Sequence, residues 1–136
     1  GVGLAAAAAV VACASALRVT VATAPGLSPK ESPPMERYLD VARRIRAVSA
    51  PGSVVVCRKP RVLARETGLY AVCYPFTRDP QAHAELIRSS GATWIVVDEI
   101  SPTTSEYLLP TLDRLPVRVV PAFANGETRA YRIGGP

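Results

Sequence analysis

Charge is missing from the first seventeen residues, Gly1 to Leu17, and reactive side chains are scarce everywhere else: one histidine and three cysteines serve the whole chain. Three cysteines are too few for a scaffold held by disulfides. The lone histidine, His83, falls beside Leu86 and Ile87 on a predicted helix and reads as a packing residue rather than a base. No Gly-rich phosphate loop, metal-ligand cluster or nucleophile elbow is present, so no catalytic residue, metal or cofactor is expected. Nor is there a zinc-finger or RNA-recognition signature, or a dense basic stretch interleaved with aromatics, which excludes nucleic acid as an expected partner. The net charge of +5 rests almost wholly on arginine. Such an excess suits anionic lipid headgroups or an anionic ligand.

What the N-terminal end has instead of charge is alanine and valine. As a helix, Gly1 to Leu17 is about 26 Å long at 1.5 Å per residue, close to the roughly 30 Å of a bilayer core. Arg18 interrupts the run, but apolar residues resume from Val19 to Ala24, and an arginine near a helix end can carry its guanidinium to the headgroups. Residues 1–24 are therefore expected to span a membrane, in a helix truncated at its start. A signal segment with Ala14, Ser15 and Ala16 as its cleavage pattern is an alternative, and a buried helix of a soluble domain is another. Gly1, Gly3 and the alanines allow close helix packing, which favours the last span of a polytopic protein over a lone anchor.

From Pro25 to Pro34 the composition turns to Pro, Ser, Gly and charge, a linker that leaves residues 35–136 for one small domain. Ser32 before Pro33 and Pro34 reads as an N-cap with prolines in the first turn. Tyr38, Val41, Ala42, Ile45 and Val48 then recur at helical spacing. Short apolar runs at Ser53–Cys57, Leu69–Tyr74 and Thr93–Val97 read as buried strands. Between them lie a brief helix stopped by Gly68 and a second, opened by Asp79 and Pro80 and closed by Gly91. Ser101 and Pro102 open a further helical segment that Pro110 should divide. Val117–Ala124 and Thr128–Ile133 flank Asn125 and Gly126, a hairpin signal. The expected fold is α/β: a transmembrane helix, then a three-layer Rossmann-like domain with a mostly parallel sheet and a closing hairpin.

In an open parallel sheet, ligands bind beyond the carboxyl ends of the strands. Arg58 and Lys59 follow the first strand, Tyr74 to Arg78 the second, and Asp98 and Glu99 the third. Arg58, Lys59 and Arg78 are the candidate contacts to a headgroup or anionic substrate, with Asp98 as their orienting partner. The competing structural reading is an ion pair of Arg58 or Lys59 with Asp98 or Glu99. A free-standing enzyme would have to use Asp98, Glu99 and His83, but adjacent strand residues point to opposite faces. Cys57 and Cys73 end neighbouring strands, so a disulfide is one expectation and two buried thiols the other. Cys13 is a small packing residue of the span.

Arg37, Tyr38 and Leu39, Val54 to Pro60, Tyr74 to Thr77 with Asp79 and Pro80, Gly91 to Asp98, and Tyr107 to Pro110 stand in an order that carries a resemblance. Together with the span they resemble the C-terminal end of the polytopic glycosyltransferases that use lipid-linked sugars, the superfamily of protein O-mannosyltransferases and aminoarabinose transferases. The resemblance implies an extracytoplasmic domain in the cell (plasma or inner) membrane, following the last helix of an enzyme whose donor is a polyprenyl-phosphate sugar. It implies as partners the bilayer, the remaining helices of the parent protein, and the sugar donor and acceptor. The acidic catalytic residue of that superfamily lies in an early loop with no counterpart here, so the implied role is accessory, capping the active site and placing the acceptor. A membrane-anchored binding module without catalytic activity is the alternative.

Overall fold

The computed structural model describes residues 32–134, which fall in one compact unit. The proposed span and most of the linker lie outside the described residues. No helix among the described residues is long and apolar enough to cross a membrane.

Helix α1 (Pro33–Val48) begins where Ser32 predicts. Its prolines sit in the first turn, where a missing N–H costs nothing, and the Ser32 carbonyl accepts from the Glu36 amide at 3.0 Å. The Ser32 side chain makes no capping bond. Tyr38, Leu39, Val41, Ala42 and Ile45 are buried, but Val48, the last residue of the helix, is 54% exposed.

Strand β1 (Val54–Val56), helix α2 (Pro60–Thr67), strand β2 (Tyr70–Val72), helix α3 (Pro80–Ser90) and strand β3 (Trp94–Val97) follow in the expected alternation. Both α2 and α3 end on glycines in the left-handed conformation, Gly68 at φ 74° and Gly91 at φ 68°, which a side chain would strain. The Asp79 carboxylate caps α3 by accepting from the Gln81 amide at 3.0 Å. After β3 the chain makes a π-helical turn over Thr104–Leu108 and a 3-10 helix over Leu109–Arg114, the division falling beside Pro110 as expected.

Strands β4 (Val119–Asn125) and β5 (Thr128–Ile133) form the hairpin. Its turn is one residue later than the Asn125-Gly126 signal suggests: Asn125 pairs with Thr128, leaving Gly126 and Glu127 at the tip. Only Gly126 has positive φ, 58°, which is the type II′ pattern. A Cβ there would also lie 2.6 Å from Arg37 Cδ, and that side chain would have to move. Asn125 instead ties the hairpin to α1, donating its amide to Asp40 at 2.9 Å.

The sheet order is β2-β1-β3-β5-β4. β1 pairs in parallel with β2 and β3, while β5 pairs antiparallel with β3 and β4. The sheet is therefore mixed rather than mostly parallel, since the hairpin inserts β5 beside β3 and places two antiparallel pairings against two parallel ones. Both faces are covered. On one, Val55, Cys57, Trp94, Val96 and Ala130 meet α1 and Leu63 of α2. On the other, Val56, Ile95 and Val97 meet Ile87 of α3 with Leu108 and Leu112. Two-sided burial explains why β1 and β3 are unbroken apolar runs.

Cys57 and Cys73 carry free thiols, Cys57 buried in the core and Cys73 half-buried. No bridge joins the two, although they follow neighbouring strands, and Cys57 packs in the core facing α1. One buried polar atom among the described residues lacks a hydrogen-bond partner, the Thr128 hydroxyl. Thr128→Val replaces it with a methyl of the same shape and should leave stability unchanged or raise it by up to about 1 kcal/mol. Ile45→Ala should cost about 2–5 kcal/mol, and urea unfolding measures both.

Candidate functional site

β1 is flanked by β2 on one side and β3 on the other, so the chain leaves β1 and β3 in opposite directions and opens a crevice between their carboxyl ends. Arg58, just beyond β1, crosses it: its Nε donates to Thr103 Oγ1 at 3.1 Å, beyond β3. The same guanidinium lies 5.2 Å from the centre of the Phe76 ring, a cation–π contact. Phe76 stacks on Tyr107 at 5.7 Å, and its edge approaches Tyr74 at 5.9 Å. The loops after all three parallel strands thereby meet around one arginine.

Beneath Arg58 runs a buried polar chain. Thr103 Oγ1 lies 3.0 Å from the Tyr74 hydroxyl, which in turn lies 2.7 Å from Thr104 Oγ1. Thr104 donates to Asp98 Oδ2 at 3.0 Å. Asp98 Oδ1 accepts from the amides of Ile100 and Ser101 at 2.9 and 3.2 Å, so this 6% exposed carboxylate is fully occupied. Asp98 does not touch Arg58; the two are linked through Thr104, Tyr74 and Thr103.

The ion pairs proposed as the structural reading do not form. Glu99 is bound by Arg37 of α1 and accepts the Glu127 amide at 3.3 Å. Lys59 is half-buried; its carbonyl accepts from the Tyr38 hydroxyl at 3.2 Å and from the Leu63 amide at 3.1 Å, while its side chain is unpaired among the described residues. With Arg58, Pro60, Arg61 and Val62 it lines a shallow hollow of about 340 Å³. Arg78 stands apart from this hollow and donates to the Glu106 carbonyl at 3.0 Å. That carbonyl is the one whose usual helical donor would be residue 110, a proline without an N–H. Arg78 repairs the break, which makes it a structural residue first.

His83, Tyr74 and Cys57 are all buried. His83 stacks on Tyr74 at 6.4 Å, and its Nε2 donates to the Thr77 carbonyl at 2.7 Å, so that nitrogen holds the proton. Burial raises the Tyr74 hydroxyl above the ordinary tyrosine range, outweighing its bonds to Thr103 and Thr104. Burial likewise pushes the Cys57 thiol from 9.0 up to about 12. The arrangement is built to hold a cationic, aromatic-backed surface in place. Thr103, Thr104 and Phe76 emerge only in three dimensions. For the two threonines, the hydroxyls of Ser101, Thr103 and Thr104, three to six residues after Asp98, are the signal that could have found them, as the start of a capped turn.

Comparison with protein-family models, with curated proteins and with solved structures finds no match to this chain.

Thr104→Val keeps the shape but strands Asp98 Oδ2 and the Tyr74 hydroxyl, and should lower stability by about 1–3 kcal/mol in urea unfolding. A raised thiol pKa contributes stability that is complete below pH 9.0 and is lost as pH climbs toward about 12. Unfolding midpoints should fall over that window, and Cys57→Ala should fall less steeply than the parent chain.

Proposed function

We propose that residues 35–136 form the extracytoplasmic accessory domain of a membrane glycosyltransferase, in which residues 1–24 are the last membrane helix and the sugar arrives on a polyprenyl phosphate. Arg58 and Lys59 supply the cationic surface that receives the phosphate of the donor or an anionic acceptor. The domain brings no acid or base of its own to the reaction; the catalytic loop belongs to the longer parent protein.

One observation carries the reading. The segments that resemble the glycosyltransferase superfamily, Val54 to Pro60, Tyr74 to Thr77 and Tyr107 to Pro110, are far apart in sequence and adjacent in space around Arg58. Residues of a packing core need no such gathering at the open end of a sheet. The cation is also held without being neutralised, because Arg58 is bonded to a hydroxyl and a ring rather than to a carboxylate. A positive charge kept available beside helix N-termini is suited to phosphate. The stacked Phe76 and Tyr107 offer the flat apolar surface on which a sugar ring can rest.

Lys59→Glu in membranes containing the full parent protein is the direct test, since the side chain has no partner among the described residues. Transfer from polyprenyl-phosphate mannose or aminoarabinose should fall at least about tenfold, as expected for loss of a charge-assisted contact, with the thermal midpoint unchanged. An unchanged rate overturns the contact. Absence of any transfer by the parent protein, with polyprenyl phosphate still bound, overturns the glycosyltransferase reading in favour of a binding module.

A further inference from the structure

We propose that the hollow between the carboxyl end of β3 and the hairpin tip binds a small zwitterion, an ammonium and an acid group carried on an aliphatic body, as in a free aliphatic amino acid. The hollow lies across β3 from the strand that leads to Arg58, and neither the membrane span nor the sugar donor enters into it. It is independent of the glycosyltransferase reading.

The strand pairing creates the space. β5 runs antiparallel to β3, so the start of one and the end of the other meet at the same edge of the sheet. Val97 and Arg129 are register partners there, and partners in an antiparallel pair point to the same face. Val97 belongs to the core that Leu108 and Leu112 complete, which places Arg129 on the face covered by the π turn and the 3-10 helix. Those turns bury Leu108 and Leu112 but leave Leu109, between them, 47% exposed. Leu109, Val97, Glu127 and Arg129 line a recess of about 170 Å³. The first three also line a hollow of about 490 Å³ with Ile100, Pro102 and Ser105, so recess and hollow are continuous. That volume is in the range of small-molecule sites.

The charges that border this space set the class of ligand. Asp98 and Glu99 are already engaged, Asp98 by Ile100, Ser101 and Thr104, and Glu99 by Arg37 and the Glu127 amide. The Glu127 carboxylate and the Arg129 guanidinium have no partner among the described residues and do not pair with each other. Their backbones are fixed, Glu127 by its amide bond to Glu99 and Arg129 by its pairing with Val97. Two residues of extended chain span roughly 7 Å, so a molecule with its charged groups a few bonds apart can meet both. A pure cation would also face Arg129 and a pure anion Glu127, so each sign alone is opposed. The Ser105 hydroxyl donates to the Pro102 carbonyl at 2.9 Å, which leaves its oxygen free to accept from an ammonium. Val97, Ile100, Pro102 and Leu109 supply an aliphatic wall, the surface a branched alkyl chain would cover.

Equilibrium dialysis of the full chain in detergent against radiolabelled leucine tests this. Binding should saturate, and Glu127→Gln and Arg129→Gln should each weaken it at least about tenfold, the loss expected for one charge-assisted contact. Thermal midpoints should not move, because both residues are exposed and neither side chain has a partner among the described residues. Leucinamide and N-acetylleucine, each lacking one charge, should compete at least about tenfold more weakly than leucine. Leucinamide should be indifferent to Arg129→Gln, and N-acetylleucine to Glu127→Gln. Leu109→Ala should cut the preference for leucine over glycine by about fivefold. No saturation by about 10 mM leucine overturns the proposal, as does affinity untouched by both charge variants or an analogue that binds as tightly as leucine. Phosphoethanolamine displacing leucine at lower concentration than leucine itself would overturn the amino acid in favour of a phosphate zwitterion. Lys59→Glu should leave leucine binding unchanged, so this site and the donor contact fail separately.

Discussion

A carboxylate withdrawn from water must be given its hydrogen bonds back, and around Asp98 that requirement organises the open end of the sheet. Its two oxygens take up the amides of Ile100 and Ser101 and the hydroxyl of Thr104, which sets the path of the chain as it leaves β3. Thr104 then places the Tyr74 hydroxyl, and Tyr74 with Thr103 places Arg58. An arginine side chain with four rotatable bonds would otherwise sweep the crevice. Held this way, it loses little further freedom when an anion arrives, which is where affinity is usually spent.

The layout of the domain was legible in the sequence because its local signals agree with its burial. Pro33, Asp79, Gly68 and Gly91 mark helix ends, and the valines of β1 and the run Trp94–Val97 are apolar on both faces because both faces are covered. Val48 read as core because periodicity says which face of a helix is apolar and nothing about how far along the helix that face is covered. The mixed sheet was missed for a related reason: strand order along the chain does not say whether a closing hairpin docks by its first or its second strand. At the site, Arg58 and Lys59 were legible as charges at a strand end, while Asp98 was assigned to the wrong neighbour. The relay through two threonines and a tyrosine joins residues up to 45 positions apart, and no spacing rule reaches across that gap.

The two edges of the sheet are managed differently. β2 is three residues long and ends in an exposed Tyr70, too short to template another strand. β4 is longer but carries Pro121 and an irregularity in pairing between Pro121 and Phe123. A missing N–H and a local twist blunt an edge that its run of valine, alanine and phenylalanine would otherwise leave open to strand addition. The sheet is thereby closed at its sides and accessible at its carboxyl end.

The π-helical turn over Thr104–Leu108 adds a point about ancestry and tolerance to change. A π turn is an α-helix that has accepted one additional residue, and each residue of an α-helix advances by about 100°. The extra residue lets Thr104 face the Asp98 carboxylate while Tyr107 still stacks on Phe76 and Leu108 still enters the core. Removing one residue from this turn would rotate the residues on one side of it by about 100° against those on the other. A length change in this segment would therefore be read as the loss of one wall of the crevice, even if every side chain named here were kept.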